Sequence, residues 1–394
     1  MLAEIRIHGN HTTPDAEVLR LAGLTLGQSV TATTIAQAAE RLRHSGRFDE
    51  VEVRKRYRSL TDVSEVALVL VVREHPVPDD PLDPTPALVK PVKRLWASGM
   101  VLPVLQYTDG YGFTYGARVS FVHLFGRDGR LSVPGTWGGT KRVAGEFDKR
   151  IRKGPVDLVE AGVALSRRTN PHYDIEEDRG DAWARASGRI AGGLRAGVRA
   201  TTANVTFGTL DERASSFGAE VSFDTRHDPV FPRNAVYARA SWDALDHSIS
   251  PGANVFLAEA RGYIGLVRQT VLSVRWIYDG SDTPLPAYER RLLGGAGNLR
   301  GYRAGSFSGD RLMAGTAELR VPLNSPLRIA RAGMSVFVDT GRAWDYGSRF
   351  EDAPARTGGG VGFFFLASVF QLNVDVAVRS GGGVRAHFST GLQF

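Results

Sequence analysis

The chain has 394 residues, no cysteine, 45 glycines and a formal net charge of +7. The absence of cysteine excludes disulfides and thiolate metal sites. No run of about 18 apolar residues occurs, which excludes a helical membrane protein, but a β-barrel stays possible because its strands alternate lipid-facing and lumen-facing residues. The basic residues are scattered, so nucleic-acid binding is not expected, and a basic lumen or contact with lipid headgroups explains the charge equally well.

Residues 1–75 predict a small α/β domain. Alternating polar and apolar residues indicate strands, and apolar residues on one side of a helical repeat indicate helices. The predicted order is β-α-α-β-β, with strands at 4–8, 51–54 and 66–72 and helices from residue 15 and over 31–44. His8 and His11 have no third potential ligand near them in sequence, so we interpret them as surface residues and expect no metal site.

A spacer is predicted at 76–98. This stretch cannot form a helix or a central strand, because proline lacks the backbone N–H that both need. Its prolines are Pro76, Pro78, Pro81, Pro84, Pro86 and Pro91. Such a composition is typical of a stiff, extended linker.

Residues 99–394 predict about sixteen strands. In 371–379, leucine and valine alternate with polar residues, as in a strand with one apolar face. A soluble sandwich could show the same alternation, but a long series of strands of about ten residues is typical of a transmembrane barrel. The predicted strands are 99–108, 112–124, 131–138, 141–151, 156–167, 182–191, 194–208, 216–225, 235–246, 253–265, 270–279, 311–321, 332–341, 357–367, 370–380 and 384–394.

An even strand count places both ends of the predicted barrel on one side of the membrane. The three long connections, 168–181, 280–310 and 342–356, then fall together on the opposite side. Within the first, the acidic stretch Asp174–Asp178 is interpreted as a solvated loop, because it lacks the ligand spacing of a calcium-binding loop.

The stretch Leu292–Asp310 is too rich in glycine for a helix and too long for a hairpin turn. It also carries Leu299, Tyr302 and Phe307. A long loop of this kind is expected to have a function. Its core, Leu299-Arg300-Gly301-Tyr302, resembles the (V/I/L)RG(F/Y) motif of the BamA/TamA outer-membrane assembly superfamily.

Other segments extend this resemblance. Phe337-Val338-Asp339-Thr340-Gly341 is similar to the FxDxG motif of the thirteenth barrel strand, and 225–232 matches the turn after the eighth strand. The N-terminal domain, with Gly9-Asn10 and the stretch 46–51, resembles a POTRA domain. The final Phe394 resembles the C-terminal signal of outer-membrane barrels.

The resemblance implies a lock inside the barrel. The loop would fold into the lumen, where Arg300 would pair with carboxylates, the partners that bind a guanidinium best. Alternation of side chains along the strands places Glu318 and Asp339 on the lumenal face. Phe337 and Gly341 complete the predicted lumenal lock; the alternative is a set of ordinary charges in a polar pore.

The first and last strands must pair to close such a barrel. Gly391 lies near the C-terminus, and glycine weakens a strand interior. Pro103 removes a hydrogen-bond donor from the first strand, and Asp109-Gly110 ends that strand early. We therefore predict a weak lateral seam that includes Gly391 and Phe394, although Gly391 could equally serve packing.

The family implies a mainly β protein: a 16-stranded transmembrane antiparallel β-barrel in the bacterial outer membrane, preceded by a periplasmic POTRA-like domain. Its implied function is insertion of unfolded outer-membrane β-barrel clients into lipid through the seam. The POTRA-like domain would bind clients, periplasmic chaperones or accessory subunits by adding a strand to its sheet; a generic α/β domain without a binding role is the alternative. The first residue lies directly on a strand, so we expect a trimmed or mature chain.

No catalytic motif is found, so we expect neither an enzyme nor a cofactor. Gly295-Ala296-Gly297 begins a dinucleotide-binding pattern, but Arg300 stands where its last glycine belongs. Two other functions remain open. A polypeptide export pore of the two-partner-secretion type is one, and a passive pore or surface antigen is the other.

Overall fold

The computed structural model describes residues 2–10, 13–57, 66–74, 99–122, 128–229, 231–323, 330–367 and 370–392. Two compact units are present, Met1–Lys90 and Pro91–Phe394. The predicted spacer at 76–98, together with His11 and Phe394, lies outside the described residues. Within the described part of the chain, no helix is both long enough and apolar enough to span a membrane.

The first unit has the predicted β-α-α-β-β order. Its elements are β1 (Leu2–His8), α1 (Asp15–Ala22), α2 (Ala32–His44), β2 (Phe48–Tyr57) and β3 (Val66–Glu74). Strand β3 lies in the centre of the sheet, parallel to β1 and antiparallel to β2. The Thr31 side chain accepts a hydrogen bond from the Thr34 N–H and so caps α2. Leu42 of α2 is fully buried in a core with Leu68 and Leu70 of β3.

The second unit is a closed barrel of sixteen strands, and neighbouring strands pair antiparallel. This confirms the predicted fold class. The barrel strands are β4 (Gly99–Thr108), β5 (Gly112–Val122), β6 (Gly129–Gly138), β7 (Thr140–Arg150), β8 (Leu158–Asn170), β9 (Ile175–Ala191), β10 (Leu194–Phe207), β11 (Leu210–Asp224), β12 (Ala235–His247), β13 (Ala253–Gly265), β14 (Val271–Ser281), β17 (Arg311–Pro322), β18 (Ala330–Trp344), β19 (Arg356–Ala367), β20 (Phe370–Arg379) and β21 (Val384–Leu392). Between β14 and β17, β15 (Arg291–Leu293) and β16 (Phe307–Gly309) form a separate two-stranded ribbon.

The two faces of the barrel wall differ sharply in exposure. In β18, Val336 and Val338 are 58% and 48% exposed, whereas Phe337 and Asp339 are 4% and 1% exposed. Charged residues on the lipid face would destabilise a transmembrane barrel, so the apolar row faces outward and the carboxylate faces the lumen.

The predicted long connection at 168–181 is wrong. Strand β8 continues to Asn170 and β9 begins at Ile175, so only residues 171–174 connect them. Two cross-strand ion pairs hold this hairpin: Arg167 binds Asp178 at 2.5 and 2.7 Å, and Arg168 binds Glu177 at 3.1 Å. Residues 175–178 are therefore strand rather than loop, while Asp174 lies in the exposed turn, and Glu177 is only 2% exposed. Both faces of the hairpin end are charged, so the alternation that marks a strand is absent from its sequence.

The connection between β11 and β12, residues 225–234, reaches across the end of the barrel where β4 begins. Phe231 packs with its ring centroid 5.9 Å from that of Phe364 in β19, a strand six places away from β11 around the barrel. Asp228 accepts a hydrogen bond from Arg331 of β18 at 3.2 Å. A small apolar cluster around Phe231 thus lies inside this end of the lumen.

Candidate functional site: the LRGY loop and the seam

Residues 292–310, named here the LRGY loop, fold inward against the barrel wall. Gly294, Gly295 and Gly301 have φ values of 122°, 90° and 94°, which other residues rarely adopt. The Asn298 side chain binds the loop backbone twice, at the Gly294 N–H and at the Leu292 carbonyl, both at 2.9 Å. These contacts give the loop a defined shape.

Two apolar residues of the motif fasten the loop. Leu299 is fully buried against Leu293 of β15 and Leu312 of β17. Tyr302 is 5% exposed, and its hydroxyl shares a hydrogen bond of 3.0 Å with the Ser380 hydroxyl. Burying a side chain of this size stabilises the docked loop by about 1.5–3 kcal/mol.

Arg300 lies between these two residues and is 7% exposed. Its Nε and Nη2 bind the two oxygens of Asp339 at 2.8 and 3.0 Å, and its backbone N–H donates to the same carboxylate at 2.9 Å. Its Nη1 donates to Glu318 at 2.9 Å. The structure thus brings Arg300, Glu318 and Asp339 together; below, these three residues are called the lock.

Two further side chains complete the surroundings of the guanidinium. The Phe337 ring lies under it, with its centroid 3.3 Å from Cζ, a stacking arrangement that favours a cation. Asp375 of β20 lies 3.5 Å from Nη1. Arg320 binds the second oxygen of Glu318 at 2.7 Å, so Glu318 lies between the guanidinium groups of Arg300 and Arg320.

Glycines in the wall leave room for the loop. At Gly358 in β19, an added Cβ would lie 1.9 Å from the Arg300 carbonyl oxygen. At Gly341 in β18, it would lie 2.7 Å from Leu293. Any larger residue at Gly358 would therefore displace the loop backbone.

The segment before the loop is held on the far side of the lumen. The Tyr288 hydroxyl donates to Glu212 of β11 at 2.8 Å. Burial raises the pKa of this hydroxyl and the hydrogen bond to Glu212 raises it further. Tyr288 therefore stays protonated and remains a donor at physiological pH.

The junction of β4 and β21, named here the seam, has the fewest strand pairs in the described part of the barrel. Among the described residues, a single pair, Tyr107 with Thr390, joins the two strands. Gly391 follows this pair and lies opposite Gln371 of β20. Its predicted role in opening remains a prediction, and Phe394 lies outside the described residues.

A second polar cluster lies beside the seam. Nδ1 of His387 in β21 lies 2.6 Å from Asp109, in the turn that follows β4, and its Nε2 lies 2.9 Å from the Gly301 nitrogen. Asp109 also accepts a hydrogen bond from the Ala296 N–H at 3.0 Å.

Four of these residues were missed by sequence reasoning. Alternation along β20 could have identified Asp375, because Val374 and Val376 flank it. Asp109 and His387 are 278 positions apart, and Gly358 contacts the loop only through the folded barrel. No local pattern indicates those contacts.

The family model named "Omp85 superfamily domain" matches residues 113–394. This chain belongs to the Omp85 superfamily. A second model, the POTRA family described as "Surface antigen variable number repeat", matches residues 1–75. A search of curated protein sequences finds no match.

Solved structures share the fold of this Omp85 protein. BamA from Haemophilus ducreyi lacking POTRA domains 1–3 aligns over 99% of this chain and 83% of its own, with a TM-score of 0.64 and 15% identity. CdiB from Escherichia coli aligns over 100% and 90%, with a TM-score of 0.58 and 10% identity. CdiB from Acinetobacter baumannii aligns over 99% and 73%, with a TM-score of 0.52 and 13% identity.

The family and the fold place this Omp85 protein in the outer membrane, with its POTRA domain in the periplasm. They fit a general role in the insertion or export of proteins at that membrane, and they fit interaction with client proteins or accessory factors.

Proposed function

We propose that this Omp85 protein inserts client β-barrels into the outer membrane through the seam. The observation that carries the proposal is the sparse pairing between β4 and β21, where one described pair contrasts with neighbours such as β4 and β5, which pair from Gly99 to Thr108. An unpaired strand edge is a template for another strand.

The physical basis of the reaction is backbone pairing inside lipid. A strand cannot enter a bilayer with its N–H and C=O groups unpaired, because each unsatisfied group costs several kcal/mol there. The edge of β4 that faces the seam would pair with a client strand while the client's apolar face enters lipid. No covalent bond changes, so neither a nucleotide nor another cofactor is needed.

The first unit supports the capture of partners. Strand β3 is central in its sheet, and β1 and β2 each have one outer edge. We propose that an unfolded client, a chaperone or an accessory subunit adds a strand at one of these edges.

The test fixes the seam covalently. The double variant Tyr107→Cys/Thr390→Cys places two thiols at directly opposite positions, where Cα separations of about 4.5–5.5 Å suit a disulfide. The protein has no cysteine of its own. In liposomes, an unfolded barrel client should acquire protease resistance with the reduced variant, and oxidation should slow this to the rate of empty liposomes.

The matched control carries Val198→Cys/Ala219→Cys, an opposite pair in β10 and β11. Its oxidation should leave the insertion rate unchanged. Full insertion activity with the oxidised seam would refute the proposal.

If the unmodified protein moves an unfolded polypeptide into the liposomes without inserting it, the protein is an export pore instead. Conductance that no client alters would indicate a passive pore.

A further inference from the structure

His387 is fully buried, with 1% of its surface exposed, and contacts polar groups from two other segments. One is Asp109, on the opposite side of the seam. The other is the backbone of Gly301 in the LRGY loop. Only one position of the ring proton allows His387 to form hydrogen bonds with both Asp109 and the Gly301 N–H.

The Gly301 N–H can only donate, so Nε2 of His387 accepts and carries no proton. The ring proton is therefore on Nδ1, which donates to Asp109. The imidazole is thus oriented by its two partners. Asp109 also accepts from the Ala296 N–H, so the loop is hydrogen-bonded to both sides of the seam.

This chain of hydrogen bonds lies where the strand ladder is absent among the described residues. Strand β4 ends at Thr108, one residue after the paired Tyr107, and Asp109 begins the turn. In β21, His387 precedes Thr390 by three residues. On this side of the Tyr107–Thr390 pair, the side chains of Asp109 and His387 join the described junction, and the Phe388 ring meets the Tyr107 ring edge-on with 6.4 Å between centroids.

We propose that Asp109 and His387 are positioning residues that couple the LRGY loop to the closure of the seam. Separation of β4 from β21 at this level breaks the Asp109–His387 hydrogen bond. The Ala296 N–H is bonded to Asp109 after β4, and the Gly301 N–H is bonded to His387 in β21. The loop cannot follow both strands as they separate, so it loses one of these two hydrogen bonds. Displacement of the loop, in turn, removes the Gly301 N–H that donates to Nε2 of His387. The buried imidazole is then less firmly oriented toward Asp109, and the seam is weakened.

The coupling is a property of the resting barrel. It goes beyond the proposed insertion activity and can be tested without a client. Its failure therefore leaves the insertion proposal standing, and failure of insertion leaves the coupling measurable.

The experiment is hydrogen exchange of the full chain in detergent micelles. In His387→Leu, amides of both the loop segment 296–302 and the seam strand 99–108 should exchange about tenfold to a hundredfold faster, because a buried hydrogen-bonded pair is lost. In His387→Gln, both segments should regain most of their protection, since the amide can donate to Asp109 and accept from Gly301.

Tyr288→Phe is the matched control, because it removes a buried hydrogen bond that holds the preceding segment to β11, away from the seam. Exchange should rise near residue 288 and stay unchanged in 99–108. Asp109→Ala offers a second route if His387→Leu does not fold, since Asp109 lies in a partly exposed turn. Faster exchange of only the loop, or of only β4, in these variants would overturn the coupling, as would a failure of His387→Gln to restore protection.

Discussion

The wall formed by β9 to β12 and the wall around the seam close the same barrel by different means. Strand β10 pairs with β11 at every residue from Leu194 to Phe207, and β11 pairs with β12 from Ala214 to Asp224. At the seam, one described backbone pair is supplemented by Asp109, His387 and the docked loop.

This difference determines how each wall can open. Separating β10 from β11 would expose a long row of backbone groups to lipid, which is prohibitive. Separating the seam breaks few described backbone pairs, and its side-chain contacts can re-form. Under the proposed function, closure by side chains and a loop would be the reversible part of the barrel.

The largest expected effect comes from Arg300→Ala. It leaves Asp339 buried without its guanidinium partner and leaves Glu318 paired with Arg320 alone; a buried charge that loses its partner typically costs about 3–5 kcal/mol. The barrel should still fold, because the strand ladders do not involve Arg300. The loop should become sensitive to protease, and client insertion in liposomes should slow by about tenfold or more. Normal insertion with an undocked loop would show that the lock is dispensable.

A smaller effect is expected from Gly358→Val. The new side chain would collide with the Arg300 carbonyl, and overpacking of this kind typically costs about 1–3 kcal/mol. Gly359→Val is the matched control, because its Cβ would lie 3.4 Å from the nearest atom, an ordinary contact. Protease cleavage of the loop should increase only in Gly358→Val. Equal cleavage in both variants would contradict the inferred packing of the loop against Gly358.

The smallest effect is expected from Arg199→Ala in the continuous wall. Arg199 also binds two carboxylates, Asp243 and Glu220, with a shortest separation to Glu220 of 3.3 Å. Arg199 is more exposed than Arg300, and Glu220 keeps Arg185 as a second partner, so we expect a smaller loss of stability than for Arg300→Ala and an unchanged insertion rate. A defect as large as that of Arg300→Ala would mean that lumenal arginines matter in general, and the contrast between the walls would fail.

The strand pattern was predictable because a membrane imposes it. Lipid on one side and a polar lumen on the other force alternation, and sixteen strands follow from counting its repeats. The prediction failed at 168–181, where Arg167 and Asp178 carry charge on the outward face, opposite Arg168 and Glu177 on the inward one. Where both faces are polar, alternation gives no signal.

The site was partly predictable for the same reason. Alternation places Glu318 and Asp339 inward, and the motif resemblance nominated Arg300. The cluster of Asp109 and His387 depends on closure of the barrel and on the path of the loop, which are properties of the whole fold. Only the structure could bring those residues together.

Phe231 and the turn that carries it give the barrel a second inner obstruction, at the end opposite the LRGY loop. An open barrel of sixteen strands would leave a water-filled channel through the outer membrane, which would leak nutrients and admit toxic solutes. With a loop lodged at one mouth and an aromatic turn spanning the other, we expect the resting barrel to conduct poorly. Such a protein could stay in the membrane permanently, because its resting state would preserve the cell's permeability barrier.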